Sequence, residues 1–416
     1  MRRLRFRATR AAVVAAALLG VAACSGQVAS APPSFSERGW GGSSPAPSGA
    51  GPGASRAPRP VTDAGAIGAV TLQPRCGTAK TAGPTTVQGW NEWVHTFTRP
   101  LWQAGDVGVT VPLSDGRVLW TFGDTLRVGE RPRFVANSML ITSGNCTTQV
   151  VTPSHGAIMP DSPTGSVCWP SSAVARPQGA GDQVLVACSR VQRGTKHGLL
   201  EFSYLGLSVA RFDVGPGGAP VLGDTLDVTP DNPDQSQVNW GTAMLADGGY
   251  LYVYGTRSGG TGAVGRALLV ARTTFDTIGK RSTWRYWDGR SWVADAASAT
   301  PVVPSADGVS QSLTVSRFGA TYVAVSKVGG DFGDKIGQWR ATTPVGPWKL
   351  AATVPVAPKQ SEAGLSILTY QPLAHPEIPL ASGKLLVSMS RLPEELRNLV
   401  INPQLGRLRF YEMPRP

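Results

Sequence analysis

The chain has 416 residues, a formal net charge of +12, 50 glycines and 34 prolines, and only 16% charged residues. That composition excludes an architecture of long charged helices and favours many short strands joined by turns, an all-β fold. The basic excess falls to +7 without the five N-terminal arginines; it suits an anionic envelope surface, and with no basic-aromatic motif beside it nucleic acid is not an expected partner.

Arg2, Arg3, Arg5, Arg7 and Arg10 precede an apolar run from Ala11 to Ala23. The run is shorter than the ~20 residues a membrane span needs. A basic start, an apolar centre and a small-residue end are the pattern of an export signal. Val21-Ala22-Ala23-Cys24 resembles the lipobox of bacterial lipoproteins, which implies cleavage before Cys24 and lipidation of that cysteine; ordinary cleavage after Ala23 is the alternative. From residue 24 to residue 68 the chain is mostly Ser, Pro, Gly and Ala, which bury too little surface to offset their ordering entropy. This reads as a flexible tether. The expected organisation is a signal over 1–23, a tether over 24–68 and one folded domain over 69–416, extracytoplasmic, monomeric, and held to the cell membrane facing the wall.

Four cysteines fall in that domain: Cys76, Cys146, Cys168 and Cys188. An even number in an oxidising compartment predicts two disulfides, with three pairings open. Pairing of chain neighbours, Cys76 with Cys146 and Cys168 with Cys188, is the favoured arrangement. The four histidines are scattered, and no C-x-x-C or H-E-x-x-H motif occurs, so neither a metal nor a cofactor is expected.

A strand–turn–strand pattern recurs five times along the domain. The second strands read RVLWTFGD (117–124), QVLVACSR (183–190), YLYVYGTR (250–257), ATYVAVSK (320–327) and KLLVSMSR (384–391), and they start 66, 67, 70 and 64 residues apart. Gly116, Gly249, Gly319 and Gly383 sit just before four of them. Further strand-like runs lie between, making about four strands per repeat. Five such units predict a five-bladed β-propeller.

In a propeller the end of each blade's second strand lies level with the start of its innermost strand, at the mouth of the central channel. Four second strands end in a cation (Arg190, Arg257, Lys327 and Arg391), and the first ends in Asp124. The alignment predicts one carboxylate facing four positive charges, which would keep it ionised; structural ion pairs between blades are the other reading. A second carboxylate, Asp106, begins the strand before. A two-residue turn would put the two aspartates on opposite faces, whereas a three-residue loop with Gly116 left-handed would set them opposite one another. Two carboxylates across a cleft are the machinery of glycoside hydrolysis.

The segment AGDVGVTVPLSDGRVLWTFGDT (104–125) resembles the opening of a family of bacterial five-bladed propeller hydrolases, long of unknown function, that includes endo-D-arabinanases acting on mycobacterial-type cell walls. Gly105-Asp106-Val107-Gly108 and Phe122-Gly123-Asp124-Thr125 carry the resemblance; WRYWDGRSW (284–292) and ATTPVGPW (341–348) extend it. Val107 replaces the commoner leucine. The resemblance implies that Asp106 and Asp124 are the catalytic pair and that the substrate is cell-wall arabinan; the cation ring argues for Asp106 as the proton donor. Asn239, Trp240, Gln311, Gln371 and His375 precede the inner strands of later blades and are candidates, with Arg190, Arg257, Lys327 and Arg391, for substrate contacts. A non-catalytic propeller that binds wall polysaccharide or an envelope protein is the competing function.

Overall fold

The second strand of every repeat is apolar at successive positions rather than at alternate ones, as in Leu119-Trp120 and Val184-Leu185-Val186. Such runs belong to strands covered on both faces. In the computed structural model, which describes residues 69–74, 82–96, 99–194, 201–259 and 265–416, each of these strands is sandwiched between two neighbouring sheets. Five antiparallel sheets form the blades of a β-propeller. The signal, the tether, Cys24 and Cys76 lie outside the described residues.

From the centre outward, blade 1 contains Ala104–Pro112, Val118–Leu126, Ser138–Ser143 and Cys146–Val151, with Thr71–Gln73 on its outer edge. Blade 2 contains Ser166–Gln178, Gly181–Arg193, Phe202–Val214 and Pro220–Asp227. Blade 3 contains Asn239–Asp247, Tyr250–Ser258, Arg266–Thr273 and two short strands, Arg285–Trp287 and Trp292–Val293. Blade 4 contains Leu313–Phe318, Thr321–Lys327, Lys335–Ala341 and Lys349–Pro355. Blade 5 departs from the four-strand expectation. Leu365–Pro379, Leu385–Pro393 and Arg409–Met413 form it, while Lys359–Glu362 only folds back on the start of the long inner strand.

The two faces of each second strand feed different cores. Leu119 joins Val184 and Val186 between blades 1 and 2. Leu185 and Ala187 join Leu251 and Val253 between blades 2 and 3. Tyr252 and Tyr254 join Ala324 between blades 3 and 4, and Val323 and Val325 join Val387 and Met389 between blades 4 and 5. Trp120 and Phe122 close the ring against Leu386 and Phe410 of blade 5. Each inner strand also contacts the inner strands of both neighbouring blades.

A helix, Val87–His95, occupies the junction where the ring closes. Thr86 caps it by accepting from the Gly89 N–H at 3.0 Å, the usual role of Thr at that position. Its buried face presents Trp90 and Val94 to the core between blades 1 and 5, and Asn91 exchanges hydrogen bonds with the Phe410 backbone at 3.1 and 2.9 Å. A helix thus takes the place of blade 5's missing outer strand.

Cys168 and Cys188 form the expected disulfide, joining the inner and second strands of blade 2. Cys146 is disulfide-bonded as well; the Cys76 half of the second expected bridge lies outside the described residues.

Candidate active site

The loop between the first two strands of blade 1 settles their register. The Leu113 N–H donates to Arg117 O at 2.8 Å, and the Gly116 N–H donates to Leu113 O at 2.9 Å. Gly116 has φ +83°. This is the three-residue loop with its glycine left-handed, a conformation that lacks a Cβ penalty only for glycine. Pairing runs regularly from Pro112↔Val118 to Val109↔Thr121, shifts at Val107↔Phe122, and recovers at Gly105↔Thr125. Two offsetting irregularities therefore leave Asp106 opposite Gly123 and Asp124.

The irregularity re-aims Asp106. Val107 and Gly108 have φ +69° and +74°, and a β-branched residue at positive φ is a strained one. The Val107 N–H leaves the ladder and donates to Ser390 Oγ of blade 5 at 2.9 Å. Its side chain packs with Leu373 of blade 5. The Asp106 carboxylate consequently lies over Gly123, so closely that a Cβ there would overlap Oδ1. Bulges commonly re-aim a side chain in this way beside active sites.

Asp106 has few partners. Tyr370 of blade 5 donates its hydroxyl to Oδ2 at 3.0 Å, while Oδ1 is buried without a hydrogen bond. Burial, and then the negative charge of Asp124, push the Asp106 carboxyl up to about 7. Tyr370, Arg193 and the Asp124 backbone N–H, which does not reach hydrogen-bond geometry, act in the opposite direction. Burial and the two carboxylates also raise the Tyr370 phenol well above its ordinary range, so it remains a donor.

Asp124 has the contrasting environment. Trp169 Nε1 donates to Oδ1 at 2.9 Å. Arg193 donates through Nη1 to Oδ2 at 3.0 Å and through Nη2 to Oδ1 at 2.5 Å. Three donors aimed at one carboxylate fit its ionised form. Asp161 stands at the rim of this cluster; partial desolvation and the Asp124 charge raise its carboxyl, and Arg193 opposes them.

The expected ring of four cations around Asp124 does not form. Arg190 turns into its own blade, donating to Leu207 O and Thr229 O at 2.8 and 2.5 Å and to Asp231 at 2.8 Å. Lys327 is buried and donates to Gly333 O at 2.9 Å and Thr369 O at 2.7 Å, tying blade 4 to blade 5. Arg391 is buried against Glu362. Arg257 is half-buried at the end of its strand and has no partner among the described residues. Strand ends that align in sequence still differ in local twist and pairing, so their terminal side chains leave the sheets in different directions.

Two other expected contacts, Trp240 and His375, are also corrected; Asn239, Gln311 and Gln371 take the places given after them. Trp240 is 3% exposed and packs against Trp284 and Tyr286 between blades 2 and 3, where no sugar can reach it. His375 is fully buried, bonded through Nδ1 to Thr110 Oγ1 at 2.7 Å and through Nε2 to Ser388 Oγ at 2.8 Å. Burial lowers it to about 3, so it is a neutral structural group. Asn239 is buried, and its carbonyl accepts from Thr242 Oγ1 at 2.7 Å. Gln311 is half-buried, its N–H donating to Asp331 at 2.8 Å. Gln371 has φ +52° and accepts from Ser390 Oγ at 3.3 Å, so it supports the Val107 anchor.

Sequence reasoning missed Arg193, Trp169 and Tyr370. Blade 2's two inner strands run 13 residues each against nine in blade 1. Arg193 and Trp169 sit on their extensions, beyond the positions that the repeat aligned. Tyr370 lay one residue before the noted Gln371.

A hydrolase, provisionally so designated, from Bacteroides ovatus has a similar fold, with a TM-score of 0.59 and 18% identity over 82% of this chain and 93% of its own. A GH43_1 enzyme from Xanthomonas citri is 13% identical over 78% of this chain and 94% of its own, with a TM-score of 0.43. An exo-1,5-alpha-L-arabinanase from a bovine ruminal metagenomic library is 13% identical over 76% and 96%, with a TM-score of 0.40. At 18% identity the likeness to the Bacteroides ovatus protein is one of fold. No curated protein matches the chain. Residues 91–403, which take in the end of the closing helix and every blade strand but Thr71–Gln73 and Arg409–Met413, match the family described as Domain of unknown function (DUF5005), and the chain belongs to that family.

Proposed function

We propose that the protein is a glycoside hydrolase in which Asp106 is the proton donor and Asp124 the ionised carboxylate. The observation that carries the reading is the contrast between them. One carboxyl is half-buried, with one oxygen shut off from solvent and without a hydrogen bond, and is raised to about 7; its neighbour is held by a guanidinium and an indole N–H. Opposed environments of this kind assign acid and base roles to a carboxylate pair. Asp106 would protonate the leaving oxygen while Asp124 attacks the anomeric carbon or activates water. The fold shared with the Bacteroides ovatus hydrolase agrees with this.

The proposed substrate is the arabinofuranosyl linkage of cell-wall arabinan. Support comes from the resemblance of residues 104–125 to the arabinanase-containing family, and from the export and lipidation signal ending at Cys24. On this reading the enzyme is anchored by lipid on the outer side of the membrane.

Release of reducing ends from purified arabinan tests the proposal. Asp106→Asn and Asp124→Asn should each lower kcat by about 10²–10⁴-fold while leaving the folded state intact. Wild-type protein that binds arabinan and releases nothing would sink the enzyme reading and leave the polysaccharide-binding one.

A further inference from the structure

Phe202 opens the third strand of blade 2 and pairs across the sheet with Arg193. Its ring centroid lies 4.8 Å from that of Trp169 in an edge-on arrangement, at 69°. Trp169 in turn is tied to Asp124 through its indole N–H, and the Arg193 guanidinium sits 5.5 Å from its ring centroid. Phe202 is nevertheless 37% exposed. A large apolar ring is therefore held partly in solvent at a set position, two contacts away from Asp124.

Among the described residues, the charges along this edge are already committed. Arg193 serves Asp124, and Arg190 serves Asp231, Asp227 and two backbone carbonyls. A sugar bearing a carboxylate or phosphate would bring its charge against an occupied guanidinium and the acids Asp124 and Asp161. The C–H face of an uncharged sugar ring, by contrast, matches an exposed phenyl face, whose electron-rich centre attracts polarised hydrogens.

We propose that Phe202, steadied by Trp169, forms the apolar wall of a sugar subsite next to Asp124 and that this subsite takes a neutral glycosyl ring. The proposal rests on the glycosidase reading and narrows it to uncharged polysaccharides.

The full chain tests it with steady-state kinetics on neutral arabinan for wild type, Phe202→Ala and Phe202→Trp. Calorimetric binding of neutral arabino-oligosaccharides to Asp106→Asn, with and without Phe202→Ala, is measured in parallel, with polygalacturonate as the anionic probe. Loss of one stacking contact should raise KM and the dissociation constant by about tenfold, leave kcat within about twofold, and be reversed by tryptophan. Unchanged KM and affinity in an otherwise active Phe202→Ala would overturn the subsite and leave the hydrolase reading standing. Polygalacturonate binding that depends on Phe202 would overturn its neutral character. A fall in melting temperature with no change in KM would assign Phe202 a structural role instead. If wild type cleaves no neutral glycan and Asp106→Asn binds none, the glycosidase reading itself fails, and the subsite with it.

Discussion

Arg193 meets Asp124 with both ends of its guanidinium, Nη1 to Oδ2 and Nη2 to Oδ1, at 3.0 and 2.5 Å. The contact crosses from blade 2 to blade 1, so the Asp124 carboxylate is oriented by a neighbouring blade. A forked, charge-assisted pair of this kind fixes direction as well as charge. The same cation also lowers the pKa of Asp106.

Arg193→Gln removes both effects. The expected result is a fall in kcat/KM of at least about tenfold, since one charge-assisted hydrogen bond is worth roughly 1.5–3 kcal/mol. The sign of the pH effect is also set. Asp106 must hold its proton to act, so activity should fall as pH rises through about 7. Without the Arg193 charge Asp106 keeps its proton longer, and the alkaline limb should move to higher pH. A pH profile of kcat/KM whose limb stays put or moves down would contradict the assignment of Asp106 as the acid.

Asp106 also predicts a stability profile. Its carboxyl rises from 3.8 to about 7 on folding, so between those values the native state binds more protons than the unfolded one. Stability should then decline as pH rises across that window and level off above it. Asp106→Asn carries no charge to desolvate. It should melt at a higher temperature than wild type at pH 8, with the difference shrinking toward pH 4. Melting curves at both pH values check this; a difference that grows toward pH 4 would refute the buried-acid description.

Gly123 has a steric role tied to one atom. A Cβ at this position would overlap Asp106 Oδ1, although glycine is otherwise a poor choice within a strand. Gly123→Ala should therefore retain a folded propeller by circular dichroism yet lose most activity, because it displaces the proposed acid. Full activity in this variant would show that the position of Asp106 over Gly123 is dispensable.

Lys327 separates a structural cation from a substrate-binding one. It joins two carbonyls of different blades and is buried, and desolvation lowers it to about 8. Between that value and 10.5 the unfolded chain binds more protons, so this residue's contribution to stability rises with pH across the interval. Lys327→Met would leave two carbonyls unpaired and should cost about 1–3 kcal/mol in denaturant unfolding. Activity per folded molecule should be unchanged; a raised KM at equal stability would restore the substrate-binding role.

Contacts made inside one blade were legible in the linear chain. The five-fold spacing, the glycine before four of the five second strands and the near-continuous apolar runs together specify hairpins covered on both faces, and these are the strands Val118–Leu126, Gly181–Arg193, Tyr250–Ser258, Thr321–Lys327 and Leu385–Pro393. The opposition of Asp106 and Asp124 was one of two registers the chain left open; the three-residue loop and the two offsetting irregularities beyond it decided it, because antiparallel register is set by the turn and by any bulge that follows. Contacts between blades were not legible. Arg193 and Trp169 reach Asp124 because blade 2's strands run on past the repeat, and Tyr370 reaches Asp106 because ring closure brings blade 5 beside blade 1. The four cations aligned by the repeat went instead to other places, three of them to carbonyls or acids nearby. Spacing along a chain specifies which strand positions face each other across a hairpin. Which side chain arrives from the next blade depends on strand length, twist and the closure of the ring, and those are properties of the packed tertiary structure.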